Sequence, residues 1–222
     1  FPGGGRQARA ATANHIVISE VQIGGGTATD EFVELYNPTD TAVNLNGWRL
    51  SKKTAGGAQT NLLTTFPNVS IAPYSYLLIA HSAYDGPTSS DLTYSTAQSI
   101  ANDNTVILYS DAGVTVVDKV GFGAAGDSET ATVANPAADE SAERKPGEAD
   151  PLAGNGEDTD NNANDFALRA VSEPQNSSSA PEVPGTPSDT PTATTTPTDT
   201  PTPTETLTPT LTPTPPAVLI LI

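Results

Sequence analysis

The sequence predicts an all-β fold, a β-sandwich, with an extended C-terminal stalk and a short terminal strand. Short runs of β-branched and aromatic residues recur between turn residues from residue 15 to residue 120. No helical periodicity of apolar residues interrupts these runs. Residues 186–216 then contain 24 Thr or Pro among 31 residues, and residues 217–222 are entirely apolar.

Composition limits the possible partners and chemistry. Nine Lys and Arg stand against 26 Asp and Glu, and the net charge of -17 would repel nucleic-acid phosphates, so no nucleic-acid partner is expected. No apolar run reaches the roughly 20 residues of a membrane span. The absence of Cys excludes disulfides and thiolate chemistry. Because the sequence has no Met and begins at Phe1, we expect a processed mature chain or a piece of a longer one.

Six strands are predicted, and a flexible lead-in rich in Gly, Ala and Arg precedes them at residues 1–14. The predicted strands cover residues 15–23, 31–37, 48–51, 74–81, 105–110 and 115–120. The last two form the clearest hairpin, because they are joined by turn residues between Ser110 and Val114.

The second half of the predicted sandwich is less regular. Residues 123–165 are acidic and poor in large apolar side chains, which predicts a long irregular excursion unless something binds the segment together. Phe166 and Leu168 then predict a return to the sheet. The sandwich is therefore expected to span residues 15–176.

Three segments resemble a known family. They are residues 16–21 (IVISEV), 30–38 (DEFVELYNP) and 45–50 (LNGWRL), and they resemble the lamin-tail domain of bacterial extracellular proteins. The likeness continues through residues 76–80, 116–121, 141–145 and 158–166. The resemblance implies an immunoglobulin-like β-sandwich that serves as an accessory or interaction module and has no catalytic residues of its own.

The residues of this motif also have a physical interpretation. Pro38 ends a strand because it cannot donate to a ladder, and Gly47 follows Asn46 in a turn that tolerates positive φ. Trp48 is predicted to fill space between two sheets. Glu31 and Glu34 either hydrogen-bond to loops or are solvated strand carboxylates.

The sequence offers little catalytic chemistry. Residues 121–126 match the dinucleotide-binding pattern GxGxxG, but no apolar helix follows them. The two histidines, His15 and His81, are both assigned to strands, and no nucleophile motif accompanies them. We therefore predict no catalytic residue and no enzymatic activity.

One loop has the composition of a cation site. Asp158, Asp160, Asn162 and Asp165 place alternating oxygen side chains in a short segment, as a hard cation such as calcium requires. Asx turns that satisfy the loop backbone explain the same composition. Calcium is the only cofactor that the sequence suggests.

Residues 177–216 are predicted to form a stiff stalk. Pro excludes a helix and favours extended polyproline II, which at about 3.1 Å per residue would let residues 186–216 reach on the order of 95 Å. Regularly spaced threonines make this segment a candidate for O-glycosylation, the alternative being an unmodified linker. The candidate acceptors are Thr190, Thr192, Thr198, Thr200, Thr202, Thr204, Thr208, Thr210, Thr212 and Thr214.

The last six residues, 217–222, are uncharged and rich in β-branched side chains, as in a buried strand. One hypothesis is that this strand adds to a sheet edge of a neighbouring subunit and joins copies head to tail. The alternatives are the start of a further domain and a remnant of a membrane anchor. The residues that would form the donor strand are Val218, Leu219, Ile220, Leu221 and Ile222.

These observations predict a secreted structural subunit of an extracellular fibre or surface appendage, whose partners are copies of itself and attached glycans. The alternative is an accessory module that tethers an enzyme or a cell surface to polysaccharide, for which an exposed row of aromatic side chains would be expected. A hydrolase is a third class, but no residue suggests itself as the nucleophile.

Overall fold

The computed structural model describes residues 12–95, 97–146 and 154–183. The chain divides into two compact units, residues 1–188 and 189–222, and every described residue belongs to the first. The start of the predicted lead-in, the candidate glycosylation threonines and the predicted donor strand at 217–222 therefore lie outside the described residues.

Twelve strands and one short helix make up the described part of the first unit. In chain order they are β1 Val17–Ile23, β2 Glu31–Tyr36, β3 Val43–Asn44, β4 Arg49–Lys53, β5 Gln59–Leu63, β6 Ser70–Ile71, β7 Tyr76–His81, β8 Leu92–Tyr94, β9 Thr105–Ser110, β10 Thr115–Gly121, β11 Ser141–Arg144, α1 Asn162–Asp165 and β12 Phe166–Arg169.

The strands form two main sheets. One has six strands in the order β12-β11-β1-β2-β7-β8, and the other has four in the order β10-β9-β4-β5. Pairing is antiparallel throughout these sheets except between β7 and β8. A further two-residue pair joins β3 to β6. The predicted all-β sandwich is confirmed.

The core lies between the sheets, and a bulge in β1 sets which residues enter it. The register of β1 against β2 shifts between Ile18 and Glu20. Because of this extra residue, Ile18 and Val21 both enter the core although they are three positions apart. Glu20 and Gln22 consequently lie on the outer face of the six-stranded sheet. The four-stranded sheet contributes core residues that include Leu50, Val106, Leu108 and Val120.

The predicted hairpin at 105–120 is confirmed, and its turn uses left-handed backbone. Asp111, Ala112 and Gly113 have φ of 52°, 56° and 94°. Such conformations reverse the chain tightly and cost least for Gly and Asp. The turn leaves Val114 exposed at the tip of the hairpin.

Two sequence-based assignments need correction. His15 precedes β1 and is not in a strand; its Nε2 atom lies 3.4 Å from Oδ2 of Asp158. Trp48 is half-buried and packs against one side of the core, so it does not fill the space between the sheets alone. Phe66 and Phe122 are fully buried there, and the aromatic volume of the core is therefore shared.

The acidic segment 123–165 is less irregular than predicted, because it contains β11 and is tied down by Asn162. The Asn162 carboxamide oxygen accepts from the backbone N–H of Gly121 and Glu129, at 3.0 and 3.2 Å. Its nitrogen donates to the Lys119 carbonyl and to Oε2 of Glu129, both at 2.9 Å. One buried amide thus uses its full bonding capacity to fasten the excursion to β10.

Segments at both ends of the described chain also attach to the sandwich. Ala13 donates its backbone N–H to the carbonyl of Gly156 at 2.8 Å. At the other end, residues 170–183, which we call the strap, follow β12 and run back across the domain; Glu182 donates its N–H to the carbonyl of Tyr74 at 2.8 Å. No helix among the described residues has the length and apolar character needed to cross a membrane.

Candidate functional site

Arg144 lies at the centre of a buried charged cluster. This side chain is fully buried and packs on the Phe166 ring, with the guanidinium carbon 4.6 Å from the ring centroid. Its Nη2 atom donates to both carboxylate oxygens of Asp118, at 2.9 and 2.7 Å. Its other nitrogens donate to the carbonyls of Ile18 and Glu157, at 2.9 and 2.8 Å. Arg144 therefore bonds to three separate segments of the chain.

Three further carboxylates surround this ion pair, and with Asp118 and Arg144 they form what we call the acidic centre. Oxygen atoms of Glu129, Asp158 and Asp165 lie within 4.8 Å of one another. Nη1 of Arg144 is 3.8 Å from Asp158 and 3.8 Å from Asp165. Burial and the nearby Asp118 carboxylate raise the pKa of Glu129 to about 8, so Glu129 is largely protonated at neutral pH.

Asp118 is the carboxylate that the guanidinium holds. Burial raises its pKa, while Arg144 and the backbone N–H of Ile18 oppose that rise. The N–H groups of Ile18 and Lys119 also donate to its oxygens, at 2.6 and 2.8 Å. Because all three nitrogens around the Asp118 carboxylate are hydrogen-bond donors, their arrangement favours its ionised form over its protonated form.

Two of the four predicted calcium ligands lie in the acidic centre. Asp158 and Asp165 face it, whereas the Asn162 amide is consumed by its hydrogen bonds to β10 and Glu129, and Asp160 is exposed. Asp165 accepts from the N–H and the hydroxyl of Thr159, at 3.0 and 2.5 Å. The loop also contains the Asx turns that were the alternative explanation, because Asp158 accepts from the Asp160 N–H and Asn161 from the Ala163 N–H, both at 3.2 Å. Arg144 supplies positive charge where a cation would lie.

Glu129 could not be identified as a member of this cluster from sequence. It lies 29 positions before Asp158, outside any ligand-like spacing. The Asn162 bonds to the backbone and carboxylate of Glu129 bring the two segments together, and the backbone N–H of Ala163 adds a bond to the Ala131 carbonyl at 3.1 Å. Arg144 likewise had no sequence signal beyond its place in the family-like segment 141–145.

A second polar cluster, which we call the glutamate row, crosses the outer face of the six-stranded sheet. The register pairs Glu20 with Glu143 on one side and with Glu34 on the other, so three glutamates stand side by side. Ser141 donates to Glu20 at 2.5 Å, and Ser19 donates to Glu34 at 2.6 Å. Adjacent like charges on one face of a sheet repel, so ionised forms are disfavoured here.

The strap covers this row. The backbone N–H of Gln175 donates to Oε2 of Glu34 at 2.5 Å. Burial raises the pKa of Glu20 to about 7, and burial together with the neighbouring Glu20 raises the pKa of Glu34 well above its usual value. Of the two interpretations of Glu34, hydrogen bonding to a loop is therefore the correct one. Glu31 behaves in the same way, because it accepts from the Ile100 N–H at 2.8 Å.

Glu182 anchors the far end of the strap. Its carboxylate accepts from the Tyr76 hydroxyl at 2.8 Å and from the Gly154 N–H at 2.7 Å. The Tyr36 hydroxyl donates to its carbonyl at 2.5 Å. Glu182 and Gly154, together with Asn155 and Glu143, border a polar cavity of about 290 Å³ between β11 and the strap. With the bonds of Gln175 to Glu34 and of Ser177 to Asp91, the strap is attached to the sandwich at several points from residue 175 to residue 182.

The exposed surface bears on the predicted binding classes. The large hydrophobic side chains exposed among the described residues are Val114, Val116, Leu168, Val171 and Val183. None is aromatic, so the stacking row expected of a polysaccharide-binding surface is not seen in this part of the chain. The GxGxxG segment begins at the end of β10, and no helix follows it before residue 146.

The two packed sheets define the class of this protein: it is an immunoglobulin-like β-sandwich domain. Residues 9–124, just over half of the chain, match the model of the lamin tail domain, and the chain belongs to that family. No match was found among curated proteins. These results confirm the family predicted from the sequence motifs.

A solved structure is similar in fold. It is the crystal structure of a DUF4876 family protein from Bacteroides thetaiotaomicron VPI-5482, which is 13% identical, with a TM-score of 0.51 over 76% of this chain and 72% of that chain. At this identity the likeness concerns the fold alone. Neither the family description nor the description of this structure names an enzymatic activity.

Proposed function

We propose that this protein is a non-enzymatic, extracellular structural subunit that joins copies of itself into a fibre or surface appendage. In this proposal the sandwich is the rigid unit, the Thr/Pro segment is the spacer, and residues 217–222 are the connecting strand. Threonines of the spacer would carry O-linked glycans, which stiffen such segments and protect them from proteases.

The observation that carries the proposal is the fastening of the strap immediately before the Thr/Pro segment. Ser177 donates its backbone N–H to Asp91 at 2.9 Å, and Asn176 donates to the Ser89 carbonyl at 2.9 Å. Glu182 adds its bonds to Tyr76 and Gly154. A subunit in a fibre must transmit tension from its spacer to its folded core, and several hydrogen bonds along the strap provide that connection.

The acceptor in this proposal is β5, the end strand of the four-stranded sheet. Among the described residues, no group outside β4 hydrogen-bonds to the backbone of residues 60–63. The opposite end strand, β10, is less open because the Asn162 side chain bonds to the backbone of Lys119 and Gly121. An apolar strand that adds to β5 would extend the sheet without displacing any described element.

The test is removal of residues 217–222, with assembly followed by sedimentation and negative-stain microscopy. We expect filaments from the full chain and monomers from the truncated chain. The matched control deletes residues 203–208, also six residues, from the spacer and should leave assembly intact. Filaments that persist without residues 217–222, or a full chain that stays monomeric, would contradict the proposal.

The acceptor edge is tested separately. Thr60 in β5 and Thr115 in β10 are both exposed end-strand threonines. A lysine on an edge strand discourages strand addition. Thr60→Lys should therefore reduce assembly, whereas Thr115→Lys should not. The reverse result would assign the acceptor to β10 and refute the assignment to β5.

A further inference from the structure

The glutamate row is buried although it lies on the outer face of its sheet. Glu20 and Glu34 are only 2% and 1% exposed, and the serines that donate to them, Ser19 and Ser141, are fully buried. The outer face of an antiparallel sheet reaches water unless another segment lies over it. A covering segment must therefore keep water from these two carboxyl groups.

The first part of the strap, residues 170–175, is that cover. Its Gln175 N–H donates to Oε2 of Glu34, and its Glu173 N–H faces the Glu20 carboxylate. Of these six residues Pro174 alone is buried. Because segments with few buried apolar contacts open at low free energy, this part of the strap can lift while the sandwich stays folded.

The second part of the strap, residues 176–183, is attached away from the glutamate row. The Ser177 N–H donates to Asp91 at 2.9 Å, and the Glu182 N–H donates to the carbonyl of Tyr74 at 2.8 Å. Neither bond involves a member of the row. Residues 170–175 can therefore leave the sheet without releasing the rest of the strap.

Negative charge prevails around the covered carboxyl groups. Glu20 stands between Glu34 and Glu143 in the register of the sheet. Among the described residues, Arg169 is the cation whose charge acts on Glu20, but it is 55% exposed and bonded to Glu143. The other titratable groups around the row are Glu173 and Glu182 in the strap, Tyr76 in β7 and Tyr84 after β7. An ionised row would thus hold adjacent negative charges away from water.

These surroundings couple the position of the strap to protons. With the strap in place, burial raises the pKa of Glu20 to about 7 and that of Glu34 well above its usual value. The strap N–H groups oppose this rise without cancelling it. Lifting the segment returns water to both carboxyl groups and brings each pKa back toward its ordinary value. Since the covered state binds protons more tightly, raising the pH through about 7 favours lifting.

We propose that residues 170–175 form a pH-dependent latch. The latch lies on the outer face of the sheet while Glu20 and Glu34 hold protons, and it lifts when they ionise, with residues 176–183 still attached. Its contacts are all within one chain, so the latch does not rest on the proposed assembly into fibres, and either proposal can fail without the other.

Lifting the latch changes the surface that the domain presents. The uncovered band lies between two apolar clusters of the outer face, one containing Tyr36 and Tyr76 and the other containing Phe32 and Leu78. The carboxylates of the row then join this face in ionised form. Above neutral pH the domain therefore presents a wider and more acidic outer face.

Hydrogen–deuterium exchange of the full chain tests the latch, with mass spectrometry and electron-transfer fragmentation to resolve single amides. Exchange is measured from pH 5 to pH 9 and corrected for the pH dependence of the intrinsic rate. Protection of the Gln175 amide should fall about 10- to 100-fold between pH 5 and pH 8, as loss of one proton requires. The amides of Ser177 and Glu182 should keep their protection, and so should that of Ile107 in β9, which reports on the core.

The variants replace the titrating groups by amides of the same shape. In the double variant Glu20→Gln with Glu34→Gln, the side-chain oxygens remain as acceptors but cannot ionise, so protection at Gln175 should no longer depend on pH. Glu20→Gln alone should reduce the fall, and Glu140→Gln should leave it unchanged. Protection at Gln175 that is constant in the natural chain, a fall that persists undiminished in Glu20→Gln or in the double variant, or a simultaneous loss of protection at Ile107 would overturn the proposal.

Discussion

The acidic centre and the glutamate row both remove carboxylates from water, but they do so differently. In the acidic centre a fully buried guanidinium lies against Asp118, and Asp158 and Asp165 face it from 3.8 Å. In the glutamate row no cation contacts Glu20 or Glu34 among the described residues, and serine hydroxyls and a strap N–H are their partners.

This difference determines how each region should respond to change. Removing the Arg144 cation should destabilise the fold, because the buried Asp118 carboxylate is then left without a compensating charge. In the glutamate row, Glu20 and Glu34 have no cation partner among the described residues, so their contribution to stability depends on bound protons and is lost as the pH rises. The acidic centre is therefore the region that is sensitive to loss of its cation. Both regions lose stability as the pH rises, the glutamate row through about 7 at Glu20 and the acidic centre through about 8 at Glu129.

The largest effect is expected from Arg144→Met. Methionine keeps the contact with Phe166 but leaves Asp118 buried without its partner, and a loss of about 3–5 kcal/mol in the free energy of unfolding is expected. Urea unfolding followed by tyrosine fluorescence or circular dichroism measures it. Adding Asp118→Leu to the variant should recover much of the loss, because the unpaired charge is then gone.

The control for that variant is Arg169→Met. Arg169 pairs with Glu143 at the sheet edge, where its side chain is 55% exposed, so its loss should cost less than about 1 kcal/mol. Equal losses in the free energy of unfolding for Arg144→Met and Arg169→Met would show that the buried ion pair contributes no more to stability than the exposed one. The distinction between the acidic centre and the glutamate row would then be refuted.

The second effect is a pH dependence that Glu20 imposes on stability. Its pKa is about 7 in the folded protein against 4.5 as the reference value, so the folded state binds the proton more tightly. The stabilisation is complete below pH 4.5 and is lost as the pH rises through about 7, with a magnitude on the order of 3 kcal/mol.

Glu20→Gln should remove this contribution. Glutamine retains the acceptor for Ser141 but cannot ionise, so the variant should gain stability relative to the natural chain between about pH 5 and pH 8.5. Urea unfolding across that range gives the difference. Glu140→Gln, in the loop before β11, serves as the control. Its free energy of unfolding should change with pH in the same way as that of the natural chain. If the free energy of unfolding of Glu20→Gln had the same pH dependence as that of the natural chain, protonation of Glu20 would not stabilise the glutamate row.

The sequence predicted the sheets better than either polar region. The pattern around Glu34 identified a strand and a family, and the hairpin at 105–120 was recognisable from its turn residues. The contact between Glu20 and Glu34, however, depends on the bulge after Ile18, which no local pattern reveals. The acidic centre depends on contacts such as that of Asp118 with Arg144, 26 positions apart, which only tertiary structure brings together.

The smallest expected effect concerns calcium at the acidic centre. The composition of residues 158–165 predicts a cation site, and Asp158 and Asp165 do converge with Glu129. Arg144 already lies 3.8 Å from both aspartates, and repulsion between it and a second cation should weaken calcium binding. We expect millimolar calcium to raise the melting temperature by less than about 2 °C relative to chelator, with magnesium as the control. A large, saturable and calcium-specific rise that disappears in Glu129→Gln would instead establish the predicted calcium site and show that the guanidinium and the ion share the acidic centre.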